Sequence, residues 1–338
     1  MPAPQSANAT QIDPTKTHVS KHLKHNSPII SCRFDIHGKY VFYGAQDNRV
    51  WRWTWRGDAK TELTAHDSWV RAIGFSPDGA TMLTGGYDGQ LVWWPVDAKQ
   101  PQPIRRVQAH HGWLRSLAIS PDGQLVATAG NDRLVKLWKV SDGSLVSELP
   151  GHQRYVYNVV FHPSGTALVS GDLMGNLIHW DVATAKKVRE FKAKSLHKYD
   201  TTFKADIGGF RGLVFSPDGK RLAGSGITNV TNAFAGVGNP SIVVFDWQAG
   251  KQQIEHLSKA KLRGVAWGVV IHPQDFTIGV SGGQGGFLLF FKPGQQEEFH
   301  QYKLPDTALD LDLCSDGLHL VTAHFDRQVR VSKMAPAK

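Results

Sequence analysis

The chain has 338 residues, a formal charge of +9, 41% apolar residues, 34 Gly, 17 Pro and 11 Trp. This composition excludes intrinsic disorder and suits a turn-rich globular fold, and no apolar run approaches the roughly 18 residues of a membrane-spanning helix. The positive balance favours acidic partners, phosphates or anionic surfaces.

The first twenty residues, MPAPQSANATQIDPTKTHVS, are polar and contain no apolar core of a secretory leader. Residues 1–15 read as a disordered tail and residues 16–334 as a single repeat domain. Cys32 and Cys314 are too few for a disulfide framework and read as reduced thiols, so a cytoplasmic protein is expected. After the tail, THVSKHLK predicts a strand, and from there the chain repeats itself.

The turn Ser-Pro-Asp-Gly at 76–79 recurs at 120–123 and 216–219, with degenerate forms at 161–165, 271–275 and 314–317. Pro presets φ at the second position, Asp bonds back to the backbone and Gly suits the last position. Short alternating apolar runs flank each turn, as in WVRAIGF before 76–79 and TMLTGG after it, which is the pattern of successive antiparallel strands. Other residues keep step with the turn. His25, His66, His110 and His152 each precede a Trp (Trp53, Trp94, Trp138, Trp180) by 28 positions, and Asp47, Asp88 and Asp132 lie 22 positions after their His. Thr84 and Thr128 lie four residues before their Asp.

In these residues the chain resembles the WD-repeat β-propeller family, over essentially residues 16–334. The resemblance implies an all-β fold, a seven-bladed β-propeller of four-stranded antiparallel blades with registers starting near 25, 66, 110, 152, 206, 262 and 304. It also implies hydrogen-bonded chains His66–Thr84–Asp88–Trp94 and His110–Thr128–Asp132–Trp138, structural rather than catalytic, because a buried imidazole, carboxylate and indole N–H each need a partner. In the other blades Asp206, Leu262 and Leu304 replace the His, and Phe245, Phe290 and Ser332 replace the Trp. Blade one has Tyr43 in place of Ser/Thr, blade four has Met174 where Asp is expected, and the last blade keeps Thr322 and Asp326. The polar chain is therefore expected intact only in blades two and three. The last blade lacks an outer strand, so the N-terminal strand is expected to complete it and protect a sheet edge.

Two insertions break the register, at 186–206 and 226–240. In a four-stranded meander the second-to-third-strand link and the link to the next blade emerge on one face, so both insertions rise from that face. The same face carries the residues three and five positions after each His register and the residue before each Asp register: Trp69, Arg71, Tyr87, Trp113, Arg115, Asn131, Tyr155, Tyr157 and Leu173, then Arg211, Trp267 and Phe325. Trp, Tyr and Arg are the side chains most enriched at binding hot spots, and WD-repeat relatives commonly grip partner peptides at these slots. Apart from Leu173, these residues are the expected partner site.

Sixteen His invite a metal reading, but His110-His111 and His22/His25 are joined by no Cys or carboxylate spacing, and no metal or cofactor is expected. The Gly-rich stretches at 282–286 and 235–239 lack a following Lys-Ser/Thr and a helix, and no Gly-x-Ser-x-Gly elbow occurs. The expected function is a non-catalytic scaffold, monomeric on its own and without membrane contact. It would bind a protein or peptide segment, acidic or phosphorylated, on the face with the insertions. The alternative is a propeller that binds nucleic acid or another polyanion through the basic 186–204 loop; the third reading is an enzyme with its site at the channel mouth.

Overall fold

The computed structural model describes residues 11–232 and 237–337, the side chain of residue 232 excepted. Their strands form seven four-stranded antiparallel meanders and one two-stranded hairpin. Blade one runs Ile29–Phe34, Val41–Ala45, Val50–Trp53 and Lys60–Leu63 from inside to outside. The inner strands of blades two to six are Val70–Phe75, Leu114–Ile119, Val156–Phe161, Gly212–Phe215 and Gly264–His272. The last blade has Ala308–Leu313, His319–His324 and Gln328–Met334, and its outermost strand is Thr17–Lys24 from the other end of the chain. That strand runs antiparallel to the third, from Thr17 opposite Met334 to Lys24 opposite Gln328, and so closes the ring.

Apolar packing makes the ring continuous. Seven core clusters occur among the described residues, and each is drawn from two neighbouring blades. Ile29, Cys32, Tyr43 and Trp53 of blade one pack on Val321, Ala323, Val329 and Val331 of blade seven, for example. The other six clusters repeat this around the circle. Strand residues alternate between the two faces of a blade, and both faces are covered, so the strands read as nearly continuous apolar runs. Trp53, Trp93, Trp94 and Trp180 are fully buried, each removing about 150–250 Å² from water.

Polar bonds supplement this packing. In the turns, Ser76 Oγ donates to Asp78 Oδ1 at 2.5 Å and accepts from Thr81 N at 3.0 Å, and Gly79 takes φ +69°, a conformation with little cost for Gly alone. At the closing seam, Asp310 and Asp312 accept the inner-edge amides of Cys32 and Phe34 at 3.0 and 2.8 Å, and Arg33 donates to Asp310 at 2.7 Å. Those amides face the channel and have no ladder partner. Burial pushes the Asp312 carboxyl up to about 6.

Two expectations need revision, and a third gains detail. Of the tail, residues 1–10 lie outside the described residues, but the chain is built into the ring before residue 16. Ile12 packs on the cluster between blades six and seven, Asp13 N donates to the Met334 carbonyl, and Asp13 caps a 3-10 turn at Pro14–Lys16. The 186–206 insertion starts later than its basic composition suggested, because Lys186–Lys192 is the outer strand of blade four. The added structure is a 3-10 turn, Lys194–Leu196, and a hairpin, His197–Asp200 with Ala205–Gly208. The 226–240 insertion continues two strands of blade five, Arg221–Asn232 and Val237–Asp246, as one long ribbon.

Candidate partner-binding site at the channel mouth

Hydrogen-bonded chains inside the blades set the position of the mouth. In blade two, Asp88 meets His66 Nδ1 at 3.1–3.2 Å, His66 Nε2 meets Thr84 Oγ1 at 2.8 Å, and Trp94 Nε1 donates to the same hydroxyl at 2.9 Å. The indole can only donate, so Thr84 spends its own proton on His66 Nε2, and the imidazole proton sits on Nδ1 facing Asp88. Blade three repeats this with His110, Thr128, Asp132 and Trp138 at 2.8–3.0 Å. Burial alone would raise the Asp88 and Asp132 carboxyls, but hydrogen bonds from the His and from backbone amides outweigh it and hold both below the ordinary range. Asp88 also accepts the amides of Asp67 and Gln90, which ties the entry to the inner strand to the turn between strands two and three. Gly86 makes room for this: a Cβ there would lie 2.5 Å from both Asp88 and His66.

Blade four corrects the expectation of only two intact chains. Asp172, two residues before Met174 and fully buried, takes the carboxylate role. It meets His152 Nδ1 at 3.0 Å, while Ser170 Oγ meets His152 Nε2 at 2.7 Å and accepts from Trp180 Nε1 at 2.8 Å. Blade seven finds a different solution. Thr322 bonds His324 Nε2 at 2.7 Å, an imidazole arriving from the end of the second strand, while Asp326 pairs with Arg330. In blade one His25 Nε2 meets Asp47 at 2.8 Å, and with Tyr43 in the hydroxyl slot both Tyr43 Oη and Trp53 Nε1 are buried without a partner.

A backbone bond recurs at the upper end of the blades. Tyr87 N donates to Trp69 O, Asn131 N to Trp113 O, Leu173 N to Tyr155 O and Phe325 N to Thr307 O, at 2.9–3.1 Å. Each bond seats the residue before the Asp register beside the residue three after the His register. The next slot is re-aimed by a β-bulge. The inner-strand register skips one residue between Ile29 and Ser31, Val70 and Ala72, Leu114 and Ser116, Val156 and Asn158, Ala266 and Gly268, and Ala308 and Asp310. The residues left over are Ile30, Arg71, Arg115, Tyr157, Trp267 and Leu309. Arg211, just ahead of its inner strand, fills the slot in blade five. A bulged residue leaves the ladder and points its side chain elsewhere; here all seven line one cavity of about 310 Å³ at the mouth, together with Trp69, Tyr87 and Phe325.

Eight of the eleven residues expected at the partner site thus share one pocket. The other three stand at its rim. The Trp113 ring stacks on Tyr87 at 4.2 Å, Asn131 Oδ1 accepts from Arg115 Nε at 2.7 Å, and Tyr155 is 45% exposed. The sequence reading missed Ile30 and Leu309, although both occupy the position five after the register at 25 and 304. They went unnoticed because they are aliphatic. Gln46, in the slot before Asp47 and with its amide bonded to the Pro28 carbonyl, was likewise missed, whereas Asn158 and Phe210, which also line the pocket, had no signal of that kind.

Electrostatically the pocket is one-sided. Arg71, Arg115 and Arg211 converge in it, and none of the lining residues is acidic. Arg71 donates to the Ile30 and Leu309 carbonyls at 2.8 and 3.2 Å. Arg115 lies over Tyr157 and Trp113 at 4.3 and 4.6 Å, and Arg211 over Tyr157 and Trp267 at 4.8 and 5.5 Å. Arg211 Nε is buried without an acceptor. Burial foremost, with the charges of Arg71 and Arg115 adding to it, lowers the Arg211 pKa, although the guanidinium stays charged at neutral pH. Aromatic faces and carbonyl dipoles therefore hold three cations that no carboxylate of the pocket neutralises.

The family model for the WD domain, G-beta repeat, matches residues 57–95, 101–139 and 143–181, the part of the chain that holds the complete polar sets of blades two to four. Three WD repeats lie within this seven-bladed propeller. Its curated relatives include transcription initiation factor TFIID subunit 5 of Caenorhabditis elegans, 26% identical over 56% of this chain and 29% of that protein. Periodic tryptophan protein 2 of Arabidopsis thaliana is 25% identical over 64% and 23%. Protein groucho of Drosophila melanogaster is 21% identical over 91% and 39%. The WD-repeat chain therefore spans well under half the length of each of these proteins. Among its described residues no helix is long and apolar enough to cross a membrane, and no three His, Cys, Asp or Glu side chains gather to hold a metal.

Proposed function

We propose that this WD-repeat propeller is a non-catalytic interaction scaffold that binds an anionic segment of a partner protein in the mouth pocket, with Trp69, Trp113 and Tyr155 as aromatic rim. One observation carries the reading: three guanidiniums, those of Arg71 and Arg115 from bulges and that of Arg211 from just ahead of its strand, enter a cavity whose lining holds no carboxylate. Three like charges in one half-buried site are costly unless an anion joins them, and Arg presents a fork that suits carboxylate or phosphate oxygens. One relative is by name a subunit of a transcription initiation factor; membership of an assembly is the role we extend to this chain.

The basic-loop alternative loses its patch. Lys186–Lys192 is an outer strand in which Lys187 pairs with Glu190, and Arg189 is turned onto the Trp247 ring and the carbonyls of Trp247 and Gln248. The charges of the run are thereby distributed over different surfaces.

The test is fluorescence anisotropy with two labelled tetrapeptides, one of glutamates and one carrying phosphothreonine. The variants Arg115→Ala and Trp113→Ala should each weaken binding by about 2 kcal/mol, the scale of an interface hot spot. Arg115→Lys should recover only part of the loss, because an ammonium lacks the fork. Unchanged affinity in both alanine variants would remove the site.

A further inference from the structure

We infer that the hairpin His197–Asp200/Ala205–Gly208 is a second contact for the same partner, gripping an acidic, apolar-bearing stretch of chain as it leaves the mouth; this rests on the mouth reading. The links into blades two, three and four run from Leu63 to Val70, Gln108 to Leu114 and Pro150 to Val156, whereas the link into blade five runs from Lys192 to Gly212 and contains the hairpin. Buried Leu196 fixes its base in the cluster between blades four and five, and Gly209 N donates to the Leu196 carbonyl at 2.7 Å.

The pairing register shows which way the hairpin faces. Tyr199 lies opposite Asp206 and His197 opposite Gly208, so these residues share a face. Asp206 on that face is clamped by Arg154 Nε at 2.7 Å and by His197 Nε2 at 2.9 Å. Arg154 immediately precedes Tyr155 of the mouth rim, so the Tyr199 face is turned towards the rim. Lys198, on the other face, donates to the Val230 carbonyl at 2.6 Å and holds the hairpin against the ribbon of blade five. The hairpin is thus braced from both sides while Tyr199 is 51% and Tyr155 45% exposed.

Charge selects the occupant. Both carboxylates of the hairpin are consumed internally: Asp206 as above, and Asp200 by the amides of Thr202 and Phe203 at 2.9 and 3.0 Å. Lys204 in its turn and Lys194 at its base are exposed and pair with no carboxylate among the described residues. The mouth's combination of aromatic surface and unneutralised cations therefore continues outward. A linear segment with acidic residues and an occasional apolar one matches both parts, and an already ordered platform limits the entropy lost on binding.

The experiment compares a labelled acidic tetrapeptide with a dodecapeptide that extends it by alternating Leu and Glu. Wild-type protein should bind the longer probe about tenfold more tightly, a modest share of hot-spot energy. The double variant Tyr199→Ala/Lys204→Gln should lose that advantage and bind the tetrapeptide as before, which also shows that it is folded. Arg115→Ala should weaken both probes. Equal wild-type affinities, or a double variant that keeps the advantage while Arg115→Ala still weakens both, overturns the hairpin contact and leaves the mouth reading standing. If neither probe binds, both readings fall. Single-stranded oligo-uridine that binds more tightly than the dodecapeptide, and is lost in the double variant, would give the surface to nucleic acid and overturn the peptide assignment.

Discussion

Replacing Thr84 by Val tests whether the polar chain of blade two is an energetic unit. Valine keeps the shape but removes the oxygen, so Trp94 Nε1 and His66 Nε2 lose partners at 2.9 and 2.8 Å in a site where Thr84 and Trp94 are fully buried. A buried polar group without a partner costs about 1–3 kcal/mol, so two such groups give a loss of about 2–6 kcal/mol. Thr84→Ser keeps the oxygen and deletes one methyl, at a cost of about 1 kcal/mol. Urea unfolding followed by tryptophan fluorescence should therefore rank wild type, Ser and Val in descending midpoint, with an unchanged slope. With Trp94→Phe as background the indole N–H is gone, so Thr84→Val should cost about 1 kcal/mol or more less than in wild type. A Val variant as stable as the Ser variant would refute the reasoning, because packing alone would then account for the blade.

Two further outcomes follow from the same geometry. Asp172→Ala, which strips partners from His152, Asn176 and the Met174 amide, should cost about 3 kcal/mol by urea unfolding; Met174→Asp should stabilise nothing, because the carboxylate role is already filled. Burial lowers His256 and His324 to about 4, below the roughly 6.5 of an unfolded chain. Their neutral forms favour the fold, so that stability is present above about pH 6.5 and is lost as the pH falls towards 4. Asp312, raised to about 6, works in the opposite sense, its contribution being present at about pH 4 and lost as the pH rises to 6. His179 is likewise lowered to about 4, by burial and then by the Arg189 charge. With three imidazoles against one carboxyl, the urea midpoint should fall between pH 6.5 and 4, and His256→Gln should flatten that fall; a midpoint that rises in acid would contradict the assignment.

The repeat was legible because it is written in side chains with strict demands. A buried imidazole, hydroxyl and indole must meet, and that requirement fixes their spacing in blades two and three to the residue. Spacing failed where the same demand was met from another position. Asp172 reaches His152 from two residues upstream, because it stands at the strand-end position that Gly86 and Gly130 hold in blades two and three, where a side chain points at the imidazole. His324 comes to Thr322 from the same strand end, where no register searches for it. The extent of the 186–206 insertion was misread for a different reason: outward-facing positions of an outer strand tolerate Lys and Arg, so Lys186–Lys192 has the composition of a loop. At the mouth, residue type guided the sequence reading, which recovered the arginines and aromatics and overlooked Ile30 and Leu309 in the same bulge slot.

That slot explains how one scaffold carries both stability and recognition. Side chains of an inner strand normally turn towards the neighbouring blades, where Leu117 and Leu114, for instance, press against Gly74 and Gly85, and their identity is constrained by packing. In six blades the bulge releases one inner-strand residue from that constraint and points it at the channel mouth, and in blade five Arg211 does the same from just ahead of its strand. Its replacement therefore costs the core little, and the seven positions can hold Ile, Arg, Arg, Tyr, Arg, Trp and Leu in turn. Arg71 and Arg115 are held by carbonyls or an amide oxygen and Arg211 by aromatic rings, not by ion pairs, so their charge stays available to a ligand. The described lining offers cations, aromatic faces, two phenols, amides and aliphatic walls, and the proposed recognition of an anionic segment rests on that chemistry.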